Sequence, residues 1–187
     1  MDYIELGRGF SEFAGRIKEL VDIDVNECMQ CAKCSAGCPV AFAMNILPHQ
    51  VVRLCMLGAE DEVLSSRTIW ICASCQTCST RCPASIDIAG LMDALRKLAR
   101  ERGTVAEKDV ETFIRSFLKT VEKRGRVFEL ELIMRYNIGT GNLLKDAALG
   151  PVLFRKGRVS LKPHKVEDSG AIKRIFERAK TFVRGGR

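Results

Sequence analysis

Apolar residues recur along the chain at helical spacing, and no stretch of useful length alternates as a half-buried strand requires. Phe10, Phe13, Ala14, Ile17, Leu20 and Val21 fall on one face, with Ser11 placed to cap the amino end, and predict a helix over about 11–21. Val51, Val52, Leu54, Cys55 and Leu57 form a second stripe that begins at Pro48, suited to a first helical turn, and stops at Gly58. A short helix over about 60–66 follows. Ile88, Leu91, Met92, Leu95, Leu98 and Ala99 repeat with the same period up to Gly103, as do Val110, Phe113, Ile114, Phe117, Leu118 and Val121 before Gly125. The period then fails: residues 137–165 scatter Gly139, Gly141, Gly150, Pro151, Gly157 and Pro163 among short apolar pieces such as Leu143-Leu144 and Val152-Leu153-Phe154. This predicts a loop-rich segment that packs against a partner. A last amphipathic stretch over about 169–183 carries Ile172, Ile175, Phe176, Ala179 and Phe182 and ends in a basic tail, Arg184 to Arg187. The fold class these patterns predict is all-α.

Composition adds one departure from the soluble globular average: nine cysteines in 187 residues. No apolar run approaches the roughly 18 residues that span a bilayer. The opening MDYIELGRGF is acidic and mixed where a signal peptide is basic and then apolar, so the expected location is the cytoplasm, with no membrane partner. In that reducing compartment thiols stay free, and metal binding becomes the leading account of the cysteines.

Eight of the nine fall into two copies of one pattern. Cys28-Met-Gln-Cys31-Ala-Lys-Cys34-Ser-Ala-Gly-Cys38-Pro39 recurs 44 residues later as Cys72-Ala-Ser-Cys75-Gln-Thr-Cys78-Ser-Thr-Arg-Cys82-Pro83. A run of C-x2-C-x2-C-x3-C-P is the bacterial ferredoxin pattern, in which three closely spaced thiolates hold one cubane and the fourth serves the other cluster. The expected ligands are therefore Cys28, Cys31, Cys34 and Cys82 for one 4Fe-4S cluster, and Cys38, Cys72, Cys75 and Cys78 for the second. Ala32, Ala36, Gly37, Ala73 and Ser74 are small enough for loops whose amides approach the cluster sulfides. Zinc is the competing metal, but a tetrahedral zinc site uses two C-x2-C pairs and gives no reason for a third cysteine or a Cys-Pro finish. Cys55 sits on the apolar side of its helix and reads as a small buried hydrophobe. His49 and His164 have no second His or carboxylate at ligand spacing and read as surface or packing residues.

The formal charge of +7 is unevenly spread: residues 1–90 carry −4 and residues 91–187 carry +11. A basic half raises nucleic acid as a partner, yet its Lys and Arg residues lie along amphipathic helices without interleaved exposed aromatics, which favours a solvated or protein-docking face. No nucleophile with its base, no G-x-G-x-x-G and no P-loop is present, so catalytic residues are expected to be none. Two one-electron clusters without a substrate site describe an electron wire.

The two motifs, their 44-residue separation and the intervening Leu47-Pro48-His49-Gln50-Val51-Val52-Arg53-Leu54 and Gly58-Ala-Glu-Asp-Glu-Val63 resemble the C subunit of heterodisulfide reductase from methanogenic archaea. The resemblance implies an N-terminal helix (1–24), an α-helical ferredoxin domain (25–103) of the kind also found in succinate dehydrogenase iron-sulfur subunits, and a basic docking extension (104–187). It implies a non-catalytic electron-transfer subunit of an oxidoreductase complex. Electrons would pass from a flavin and iron-sulfur subunit to the cysteine-rich catalytic subunit that reduces the coenzyme M-coenzyme B disulfide, with a hydrogenase or formate dehydrogenase feeding the complex. The alternatives are an electron-transfer subunit of another anaerobic dehydrogenase or reductase, and a structural or nucleic-acid-binding iron-sulfur module.

Overall fold

A computed structural model describes residues 12–142, 150–157, 163, 166 and 169–185. These residues are largely helical, and no strand occurs among them. Chain contacts separate two units, one ending at Glu107 and the other beginning at Lys108.

The first unit opens with α1 (Glu12–Val21), whose Phe13, Ala14 and Ile17 are buried. A 3-10 turn at Val25–Glu27 leads into the first cysteine motif, which contains α2 (Lys33–Ala36). Next comes α3 (Pro48–Met56), where Pro48 occupies the first turn and Gln50 Oε1 accepts from the Leu47 amide at 2.8 Å. Gly58, at φ +69°, supplies the left-handed turn that stops it. Two short helices, α4 (Glu60–Leu64) and α5 (Thr68–Ile71), precede the second motif, which contains α6 (Thr77–Arg81). The unit closes with α7 (Ile88–Arg102), capped by Asp87 Oδ1 on the Gly90 amide at 3.0 Å and ended by Gly103 at φ +79°.

Helix α7 is the spine, because α1, α4, α5 and α6 all pack on it. Its Ile88, Leu91, Met92, Leu95 and Ala99 join Ile17, Val51, Val52, Cys55, Val63, Leu64, Ile69 and Trp70 in one buried cluster. Arg100 lies over the Trp70 ring at 5.2 Å, and Arg102 reaches Asp61 at 2.6 Å, so the basic last turns of α7 also fasten the elements beside it. A partly buried polar tie holds the segment after the first motif to the helix before the second. Asn45 Oδ1 accepts from Ser66 Oγ and the Thr68 amide, while Thr68 Oγ1 donates to the Ile46 carbonyl at 2.6 Å and accepts from the Ile46 amide at 3.1 Å.

The second unit contains α8 (Lys108–Arg124), α9 (Glu129–Thr140), α10 (Gly150–Arg155) and α11 (Ser169–Gly185). Helix α8 packs on α9 and α11. Glu131 gathers Arg124, Arg135 and Lys123, and Tyr136 meets Phe113 edge to face at 6.0 Å. The loop-rich segment expected over 137–165 is overturned at two places. Residues 129–140 are a helix not among the expected elements: Leu130, Ile133, Met134 and Ile138 stand at helical spacing, yet Ile133, Met134 and Ile138 are exposed, and the side chain the helix buries is Leu132, off that stripe. Gly139, read as a loop signal, is a close approach: a Cβ there would come within 2.6 Å of Thr112 Cγ2 on α8. Residues 150–155, inside the segment expected to be loop-rich, are also helical, with Pro151 in the first turn where its missing N–H costs nothing. Phe10, Ser11, Leu143, Leu144 and His164 lie outside the described residues. No helix among those described is long and apolar enough to cross a membrane.

Thr68→Val keeps the shape of a fully buried side chain but orphans the Ile46 carbonyl and amide. Such a loss costs about 1–3 kcal/mol. The expected outcome, read by thermal unfolding under anaerobic conditions, is a clear fall in midpoint; an unchanged midpoint would show the tie to be dispensable.

Candidate metal centres

The two motifs have the same backbone conformation. Gln30 and Ser74, each just before the second cysteine of its motif, have φ of +55° and +49°, and Ala32 and Gln76, each just after it, have +59° and +63°. Four non-glycine residues in the left-handed region cost about 1–3 kcal/mol each and persist only where the surroundings require them. Left-handed residues on either side of Cys31 and of Cys75 bend the chain tightly around each cysteine; backbone concavities formed by left-handed residues in turns are a recurrent feature of iron-sulfur sites. After each loop the chain enters its short helix, α2 carrying Cys34 and α6 carrying Cys78, and then reaches Cys38 or Cys82 followed by proline.

Helices α2 and α6 pack on each other, and the Arg81 side chain lies against Gly37, where a Cβ would collide with its guanidinium. This contact brings the end of each motif to the beginning of the other. Cys28, Cys31, Cys34 and Cys82 line one concavity, and Cys38, Cys72, Cys75 and Cys78 line a second. The walls of the first include Pro83, Ala84 and Ile88; those of the second include Pro39, Pro48, Ala89 and Met92. Among the described residues no group of three or more His, Cys, Asp or Glu side chains is drawn together to hold a single metal ion. The thiols ring two volumes instead, and four thiols in an apolar setting form a donor set that fits a 4Fe-4S group.

Cys34 is buried, Cys31 and Cys75 are exposed, and the other five site thiols are half-buried. Burial pushes the Cys34, Cys72 and Cys78 thiols up, while the Thr77 hydroxyl and amide hold that of Cys75 below its ordinary value. Polar groups behind the loops differ between the motifs. Gln30 Nε2 donates to Cys28 Sγ at 3.3 Å, and Ser35 Oγ accepts from the His49 amide at 3.1 Å with His49 Nδ1 2.7 Å away. In the second motif Ser79 Oγ donates to Asp87 Oδ1 at 2.7 Å and accepts from the Ala89 amide, tying α6 to the start of α7. Ser74 is backed by Arg96 of α7.

The spacing of residues did not single out Gln30, Arg96 or a place for His49 at the first concavity. Arg96 carried a signal, since a cation stands on a helix face otherwise formed by Met92, Leu95 and Ala99. Nothing in the type of residue at 30 or 49 required its role. Cys55 is fully buried on α3, lines neither concavity, and has a thiol raised by burial alone. Cys55→Ala is expected to leave the iron content per chain unchanged under anaerobic purification; a loss of iron would make Cys55 a ligand.

Residues 24–86 match the family described as a 4Fe-4S dicluster domain. Over 113 residues the chain is 30% identical to the C subunit of H(2):CoB-CoM heterodisulfide,ferredoxin reductase from Methanothermobacter marburgensis, covering 59% of this chain and 61% of the relative. It is 32% identical over 104 residues to the iron-sulfur C subunit of CoB–CoM heterodisulfide reductase from Methanopyrus kandleri, covering 51% and 54%. A third match, 34% over 86 residues, is the C subunit of Ferredoxin:CoB-CoM heterodisulfide reductase from Methanosarcina acetivorans, covering 46% and 34%. The chain thus spans between a third and about three-fifths of the length of these relatives. Residues 24–86 thus match the 4Fe-4S dicluster domain family, two 4Fe-4S clusters are the cofactors, and the chain is similar over about half its length to the C subunits of heterodisulfide reductases.

Proposed function

We propose that this chain is the electron-transfer subunit of a heterodisulfide reductase complex in the cytoplasm, relaying single electrons between a flavin and iron-sulfur subunit and the cysteine-rich catalytic subunit. Cys28, Cys31, Cys34 and Cys82 hold one 4Fe-4S cluster, and Cys38, Cys72, Cys75 and Cys78 hold the other. The observation that carries the reading is the meeting of four thiols at each concavity, three from one motif and one from its repeat. Such sharing makes both centres part of one packed body, and the distance between them then varies little as electrons pass. The clusters supply one-electron redox chemistry; the protein positions them, surrounds them with apolar walls and keeps an exposed thiol edge at Cys31 and Cys75 through which neighbours exchange electrons. The disulfide of coenzymes M and B is reduced on the catalytic neighbour, and a hydrogenase or formate dehydrogenase supplies the electrons further upstream.

The basic second unit serves as the docking element. Its Leu118, Ile133, Met134 and Ile138 are large apolar side chains left exposed, and the relatives are by name subunits of larger assemblies. Contact with acidic, apolar surfaces of the neighbouring subunits would cover them.

The anaerobically purified chain is expected to contain about eight iron, as two complete cubanes require. Cys82→Ser should damage the cluster of Cys28, Cys31 and Cys34 and spare the one beside its own motif, as read in paramagnetic spectra of the reduced variant. Loss confined to the Cys72, Cys75 and Cys78 centre would overturn the ligand assignment. A chain ending at Glu107 should retain both clusters yet fail to co-purify with the flavin-bearing and catalytic neighbours; a truncated chain that still assembled and turned over would overturn the docking role.

A further inference from the structure

The two motifs are alike in backbone and unlike in charge. At the position before the second cysteine, the first motif has Gln30, a neutral amide that donates to Cys28. The second has Ser74, whose Oγ accepts from Arg96 Nη2 at 2.8 Å. Arg96 is 7% exposed, and its Nε is buried without a hydrogen-bond partner, so the guanidinium is held behind the Cys72–Cys75 loop with a donor left over. Its counter-charge is Asp93, whose Oδ1 lies 2.5 Å from Nη2. That carboxylate is 60% exposed, so water screens it more than it screens the buried cation. The charged side chains around the first concavity are of another kind: Lys33 on its wall is not fully buried, and Arg81 between the two motifs is exposed.

We propose that Arg96 makes the centre at Cys38, Cys72, Cys75 and Cys78 the easier of the two to reduce, so that an electron shared between them rests at the second motif. The inference rests on the ligand assignment proposed above. Adding one electron from a low-potential donor increases the negative charge of a centre by one, with no bond made or broken in the protein. A buried cation a few atoms from the ligands stabilises that product far more than an exposed one does, because little water intervenes. Arg96 is therefore a positioning residue for the electron, acting on the centre through charge and through the hydrogen bond that holds Ser74.

The test is a redox titration of the anaerobically purified full chain, with dithionite as reductant and paramagnetic resonance as readout, the first-motif signal being the one that Cys82→Ser removes. In the native chain the second-motif signal should appear at the higher potential. Arg96→Gln should lower the reduction constant of that centre by about tenfold or more, which is 59 mV for one electron, and leave the other in place. Arg96→Lys should recover most of the loss, and Asp93→Asn should move the same centre upward. If Arg96→Gln sheds iron, the Lys and Asn variants carry the test. A native chain lacking two resolvable cluster signals would refute the functional reading; two complete clusters whose potentials ignore Asp93→Asn, or move together, would refute the role of Arg96.

Discussion

The packing of α2 on α6 is the contact on which the N-terminal unit depends. Each of these helices is about one turn long, too short to be stable alone. Each also follows a loop with two residues in the left-handed region. Side by side, with Arg81 across Gly37, they bring Cys82 to the first motif and Cys38 to the second. The remaining elements hold that arrangement. The spine helix α7 presses Ile88, Ala89 and Met92 against the concavities, the Asn45–Ser66–Thr68 tie fixes the span between the repeats, and Ser79 couples α6 to the cap of α7.

Much of this was legible in the sequence because the signals were local. The stripe from Ile88 to Ala99, stopped by Gly103, gave the body and end of α7 while its Asp87 cap went unread, and Pro48 and Gly58 bracketed α3. The eight cysteines announced two sites by spacing alone. What escaped was set by tertiary contact. The α2 and α6 turns have no periodicity of their own, α9 buries Leu132 rather than the stripe formed by Leu130, Ile133, Met134 and Ile138, and Gly139 is small because Thr112 lies against it. The left-handed conformations at Gln30, Ala32, Ser74 and Gln76 belong to residue types that seldom adopt them, so no propensity points to them.

The two copies of the repeat are alike in backbone and thiols and unlike in the side chains around them. Backbone and thiols stay equivalent because the metal group dictates them, whereas the surrounding layer is free to differ. Gln30 and His49 stand beside one centre and Arg96 with Asp93 beside the other. An electron carrier with two equal centres has no preferred resting place; unequal surroundings provide one without altering the ligands. The second unit contributes none of the eight motif cysteines, all of which lie in the first.

The central claim is that each centre draws its thiols from both copies of the repeat. Anomalous scattering at the iron edge from crystals grown and kept without oxygen tests it most directly. The account predicts two groups of about four iron atoms each, one bounded by Cys28, Cys31, Cys34 and Cys82 and the other by Cys38, Cys72, Cys75 and Cys78. Single ions, or a group enclosed by the four cysteines of one motif alone, would contradict it.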